Sequence, residues 1–250
     1  MIAVSSNKGG VGKTTLAANL AVYLRALDED LPILVVGLDD QDSLDRMFAW
    51  GPPAPGEANL KHAWAERSLD RAIRMGEYGV HYVPSPPDAV ALKARAEDPH
   101  TLRRMLERLA WKGVVIVDTK SDLEALTRNA LHAADRVLIP VSDWAALLEA
   151  GKAFGYLEAT GLGRERGRAL LTLVDSRTRV ESEGEHLVDR LRAELLRRGW
   201  PAYRTAGTAA RACRNRRAYP TTSRSSRPSA WFFAIFTGTT NGPSSESIRP

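Results

Sequence analysis

The chain has 250 residues, 44% of them apolar, which suits one α/β domain with a sizeable core plus a tail. A single cysteine, Cys213, excludes a disulfide framework within one chain and any four-cysteine metal site, and points to a reducing, cytoplasmic setting. The formal net charge of +5 is uneven: residues 201–250 carry eight Arg against Glu246 alone, whereas residues 1–200 are close to neutral, so the basic character describes a polyanion contact rather than the fold.

From the amino end, short β-branched runs at 2–5, 33–38, 80–83, 114–118, 137–141 and 169–174 alternate with amphipathic stretches at 13–27, 59–75, 99–111, 123–133, 145–159 and 181–198. The strand candidates are almost continuously apolar, as strands covered on both sides are. The alternation predicts an α/β fold, a mostly parallel sheet flanked by helices on both faces. Residues 51–56 (GPPAPG) break the pattern and mark a loop. No apolar run reaches the roughly 18 residues of a membrane span, and Lys8 with the glycines after it interrupts the apolar start, unlike a secretory signal.

The strongest motif is Ser6-Asn7-Lys8-Gly9-Gly10-Val11-Gly12-Lys13-Thr14-Thr15, between the first strand and the first helix. Packed phosphates need many inward N–H donors, and side chains there would block the approach. Gly9, Gly10 and Gly12 permit such a curled backbone, and the helix behind presents its positive end. Lys13 would bridge the β- and γ-phosphates and the Thr14 hydroxyl would ligate Mg²⁺. The run from Lys8 to Thr15 is the expected ATP/ADP-contacting set. It departs from the ordinary phosphate-loop pattern in having Asn7 where a glycine is usual and a lysine, Lys8, early in the loop.

This K-G-G-x-G-K-T loop resembles that of the ParA/MinD/Soj family of deviant Walker A P-loop ATPases, over roughly residues 1–200. The resemblance implies a P-loop NTPase fold in which Lys8 reaches across a homodimer to phosphates held by the other subunit, so that ATP state controls dimerisation. Such a cation in trans acts as an arginine finger does, offsetting charge on the transferring phosphoryl group. A solvated loop lysine is the bland alternative for Lys8.

The segment Gly37-Leu38-Asp39-Asp40-Gln41-Asp42-Ser43 resembles the family's D-L-D-P-Q-x-S, with Gly37 in place of the first Asp and Asp40 in place of Pro. The resemblance gives Asp39 the task of holding the attacking water in line; Asp42 or Ser43 would also serve as a helix cap. Residues 114–118 form an apolar strand closing on Asp118, the Walker B form, and that carboxylate would hold Mg²⁺ through a water. Lys120 stands where the family has Pro. Residues 171–179 resemble a T-x-x-D-S-R-T segment near the adenine pocket; Asp175 or Ser176 would contact the base there, or merely form a turn.

Beyond Tyr203 the resemblance fails. The expectation is a ParA-like domain over residues 1–204 and an atypical basic tail over 205–250, whose residues 221–250 hold twelve Ser or Thr and one apolar cluster, 231–236 (WFFAIF). The tail is either the product of a reading-frame change or a DNA-binding arm centred on Arg214, Arg216 and Arg217. The family resemblance implies a slow, partner-stimulated ATPase in the cytoplasm or on the nucleoid. It would bind DNA nonspecifically in its ATP state, answer to a ParB-like adaptor, and segregate DNA or other cargo. A MinD-like membrane-associated regulator and a metabolic amidase or synthetase built on the same loop are the alternatives.

Overall fold

The computed structural model describes residues 1–39, 44–51, 54, 56–86, 92, 96–174 and 185–206. Its strands are β1 (Ile2–Val4), β2 (Ile33–Gly37), β3 (Arg74–Met75), β4 (His81–Val83), β5 (Val114–Asp118), β6 (Arg136–Val141), β7 (Gly167–Leu171) and β8 (Ala202–Ala206). They form one sheet in the order β3-β4-β2-β5-β1-β6-β7-β8, with β3 antiparallel to β4 and the rest parallel.

The unbroken apolar runs are explained by alternation between two buried faces. On β2, Leu34 and Val36 join one core while Ile33 and Val35 join the other; on β5, Val115 and Val117 separate in the same way from Ile116. The first core is covered by α3 (Leu60–Glu66), α4 (Thr101–Leu109), α5 (Ala125–Ala133), α6 (Trp144–Ala159) and α7 (Leu187–Arg197). The second is covered by α1 (Lys13–Leu27), through Leu16, Leu20 and Leu24, together with Phe48 of the short α2 (Asp45–Phe48). Gly113 is required where β5 begins: a Cβ there would lie 1.8 Å from the Pro32 carbonyl oxygen, the acceptor of the Val114 N–H.

Several features differ from the sequence expectation, among them a short helix at Asp45–Phe48 and the end of β7 at Leu171 in place of 174. The helix expected over 59–75 stops at Glu66, although its start is as expected, with Asn59 and His62 forming a capping box. Arg67 turns left-handed at φ 54°, and Arg74–Met75 becomes the edge strand β3. The strand pairing of β3 to β4 outweighs the helical periodicity that continues through the segment. Strand β8, beside β7, was not among the strand candidates and runs past residue 204. Expectations for Asp40, Gln41, Asp42, Ser43, Asp175, Ser176, Cys213, the arginines of the tail and the 231–236 cluster fall outside the described residues.

Topology places the site. From β1 the chain moves to β2 on one side, returns through β5, then leaves through β6 on the other. The direction of winding therefore reverses around β1, and the crevice beyond the carboxyl ends of β1 and β5 is the expected ligand position.

Candidate functional site

Strand β1 delivers the loop into that crevice. The Ser5 N–H is bonded to the Leu138 carbonyl at 2.9 Å, and the Lys8 N–H donates to the Ser6 hydroxyl at 3.2 Å. Gly10 and Gly12 adopt φ values of 74° and 87°, the left-handed conformations that side chains disfavour. Gly12 is the N-cap of α1, with no side-chain cap and no acidic residue in the first turn. The positive end of α1 is therefore not offset by Gly12 or by an acidic side chain in its own first turn. Buried Val11 anchors the loop from below, its carbonyl accepting the Thr172 hydroxyl at 3.0 Å.

The two loop lysines take different directions. Lys13 is 7% exposed, and its ammonium donates to the Lys8 carbonyl at 3.1 Å and to Ser121 Oγ at 2.5 Å. Burial pulls this ammonium below lysine's ordinary pKa, against the opposing influence of Asp118, Asp39 and Asp122. Lys8 instead reaches along the rim and pairs with Asp143, the N-cap of α6. Burial alone would raise the Asp143 carboxyl. Hydrogen bonds from Lys8, the Ala146 N–H and the Ser142 hydroxyl prevail and hold it below its ordinary value.

Asp118 closes β5 at 1% exposure. Burial pushes its carboxyl up to about 7, the Asp39 charge adds to that, and the Thr14 hydroxyl and Lys13 oppose it. Among the described residues its Oδ1 is buried without a hydrogen-bond partner, as is Asn7 Oδ1. A buried carboxylate oxygen without a donor, beside a threonine hydroxyl, is a set of hard oxygen ligands and fits Mg²⁺. Among the described residues no three His, Cys, Asp or Glu side chains converge on a metal position.

Asp39, just beyond β2, acts electrostatically on both Asp118 and Lys13 and so shares their locus. Thr15 faces outward on the first turn of α1. At Gly37 an added Cβ would lie 2.8 Å from Leu44 Cδ1, so the side chain of Leu44 fills the space that an aspartate would need. Lys120 is half-buried directly after the β5 strand end.

Sequence reasoning missed Ser121, Asp143 and Thr172, which hold Lys13, Lys8 and Val11 from 108, 135 and 161 residues away. Asp143 carried a local signal as a cap residue just before a helix, and Thr172 as the first residue of the T-x-x-D-S-R-T segment; Ser121 carried none.

A family model described as an AAA domain matches residues 1–150. The chain is 32% identical over 189 residues to the chromosome-partitioning ATPase Soj of Thermus thermophilus, covering 74% of this chain and 73% of the relative. It is 30% identical over 149 residues to the chromosome partitioning protein ParA of Caulobacter vibrioides, covering 56% of this chain and 55% of that protein. Among solved structures, a cobyrinic acid a,c-diamide synthase from Mycobacterium smegmatis with bound ATP analogue and magnesium superposes with a TM-score of 0.63. It shares 26% identity and covers 79% of this chain and 81% of its own.

Proposed function

Since the chain belongs to the ParA/MinD family of P-loop ATPases, we propose that it is an ATP-switched dimer that positions DNA or another cellular cargo. The observation that carries this reading is the division of labour between the two loop lysines. Lys13 turns inward, buried beneath the loop, whereas Lys8 leaves the loop for the rim, its side chain partly exposed.

In this reading the loop from Lys8 to Thr15 grips ATP or ADP, and Lys13 neutralises the β- and γ-phosphates. Thr14 and Asp118 hold Mg²⁺, which supplies charge neutralisation at the transferring group. Asp39 orients the attacking water, and Asp175 contacts the base. Lys8 exchanges Asp143 for the phosphates of the other subunit. Turnover is slow and rises with an adaptor of the ParB kind. The ATP-bound dimer holds duplex DNA nonspecifically, with the arginine-rich residues 205–250 contributing phosphate contacts. Its place is the cytoplasm, and the nucleoid when DNA is bound; among the described residues no helix is long and apolar enough to cross a membrane.

Sedimentation with a slowly hydrolysed ATP analogue, with and without duplex DNA, tests this. The wild-type chain is expected to dimerise and retain DNA, Lys8→Ala to bind nucleotide but stay monomeric, and Lys13→Ala to lose nucleotide. A Lys8→Ala chain that dimerises normally would overturn the exchange in trans. A second reading, an amide-forming synthetase, draws on the likeness to the diamide synthase. It requires ATP consumption to depend on a carboxylate acceptor and a nitrogen donor. Phosphate release from ATP alone, raised by DNA, rejects it.

A further inference from the structure

We propose that Ser121 is a phosphate-contacting residue of the nucleotide site, acting on the terminal phosphoryl group through its hydroxyl proton. The proposal rests on the reading of the loop as an ATP site and adds to it a residue that no motif supplies.

Ser121 follows β5 in the turn that leads to α5, three residues after Asp118, and its side chain is exposed rather than packed in the core. Its oxygen lies 2.5 Å from the Lys13 ammonium. A Cβ built on Gly9 would lie 3.8 Å from that same oxygen. The hydroxyl therefore stands over the loop between Gly9 and Lys13, where phosphates gripped by the loop must pass.

Hydrogen-bond stoichiometry fixes what it offers there. The ammonium of Lys13 has three N–H donors; among the described residues the Lys8 carbonyl accepts one and Ser121 Oγ another, leaving one for a ligand. A hydroxyl that accepts from an ammonium still has its own proton to donate, and that proton points away from the cation, toward an anion. The resulting chain, ammonium to hydroxyl to phosphoryl oxygen, is charge-assisted at both ends, and each bond polarises the next. Ser121 thus spreads the positive charge of a buried lysine over a second contact. Because Lys13 spans the last two phosphates, that contact falls on the end that distinguishes a triphosphate from a diphosphate.

The test is calorimetric titration of the full chain with magnesium and either a non-hydrolysed ATP analogue or ADP. Ser121→Ala is expected to weaken analogue binding about tenfold, the effect of losing one hydrogen bond to a charged group, and to leave ADP affinity within about twofold. Ser121→Thr, which keeps the hydroxyl, is expected to restore the analogue affinity. Equal loss for both nucleotides would overturn the proposal, since Ser121 would then act only by positioning Lys13. Unchanged or tighter analogue binding would also overturn it, the latter marking the hydroxyl as a competitor for Lys13. If the alanine variant fails to fold, Ser121→Cys, nearly isosteric and a weaker donor, is expected to show the same selective loss. Wild-type protein that binds neither nucleotide would remove the ATP-site reading itself, and this proposal with it, before any substitution is compared.

Discussion

The carboxyl ends of β2 and β5 are neighbours in the sheet, with Gly37 in register beside Asp118, yet they are built on opposite principles. At Asp118 the fold buries a carboxylate with one oxygen unpartnered among the described residues, an arrangement that costs stability and suits a bound cation. At Gly37, one strand over, the corresponding space is filled by the apolar tip of Leu44, which has no chemistry to offer and helps to close the core under α2. The contrast separates binding from packing. The β5 side offers a buried carboxylate beside a threonine hydroxyl, a chemistry that fits magnesium, while the β2 side is packed at Gly37, with Asp39 two residues further along the chain.

The largest expected effect comes from taking the charge off the β5 side. Asp118→Asn should weaken magnesium-dependent nucleotide binding by about 10- to 100-fold, the usual cost of losing a group that orients a metal's shell, measured by titration at fixed nucleotide. The same group sets a pH dependence. Its folded value of about 7 lies above the ordinary carboxylate value of 3.8, so between these limits the folded chain keeps a proton that the unfolded chain has lost. The stabilisation is complete below about pH 4 and disappears as the pH rises through about 7, a change on the order of a few kcal/mol. Thermal melts without nucleotide should show that loss in the wild type and a flatter profile in Asp118→Asn. Magnesium–ATP binding should move the other way, tightening as the pH rises through about 7. Identical melt profiles for the two proteins would contradict the assignment.

A smaller effect is expected from restoring the missing acid on the β2 side. Gly37→Asp drives a Cβ to 2.8 Å from Leu44 Cδ1 and sets a second carboxylate beside Asp118. The overpacking should cost about 1–3 kcal/mol in urea melts, and adding Leu44→Ala should relieve the steric share. If Gly37→Asp alone proves as stable as the wild type, the space is not filled as described.

The smallest effect on stability concerns the rim. Asp143→Asn keeps a competent helix cap and removes only a partly exposed ion pair with Lys8, so it should change stability by less than about 1 kcal/mol. It should nevertheless lower the ATP concentration needed for dimerisation severalfold, because Lys8 is then held less firmly within its own subunit. Sedimentation across an ATP series checks this. Unchanged dimerisation would mean that the ion pair does not restrain Lys8.

Legibility in the sequence followed locality. The phosphate loop, β5 and α1 were readable because their residue types are fixed by neighbours a few positions away: glycines for the turn, apolar residues for a buried strand, leucines on the inner face of α1. Helix α3 began where Asn59 indicated, but its end was misplaced because β3 is defined by β4 and not by its own side chains. Edge strand β8 was hidden for the same reason, being specified by its pairing with β7. Within the site, Lys13 and Asp118 could be named from the motif, whereas Ser121 and Asp143 could not, since each is identified by a lysine more than a hundred positions away. The packing of Leu44 against Gly37 was equally invisible: from residues alone, Gly37 reads as a missing carboxylate and not as a filled space.

The bond from Thr172 to the Val11 carbonyl fastens the floor of the loop to the end of β7, two strands across the sheet from β1. A grip tied down at that distance has a shape set by the sheet, so whatever peels β7 away slackens the grip as well. Protection of Gly167–Leu171 from proteolysis is therefore expected to increase when the loop is filled.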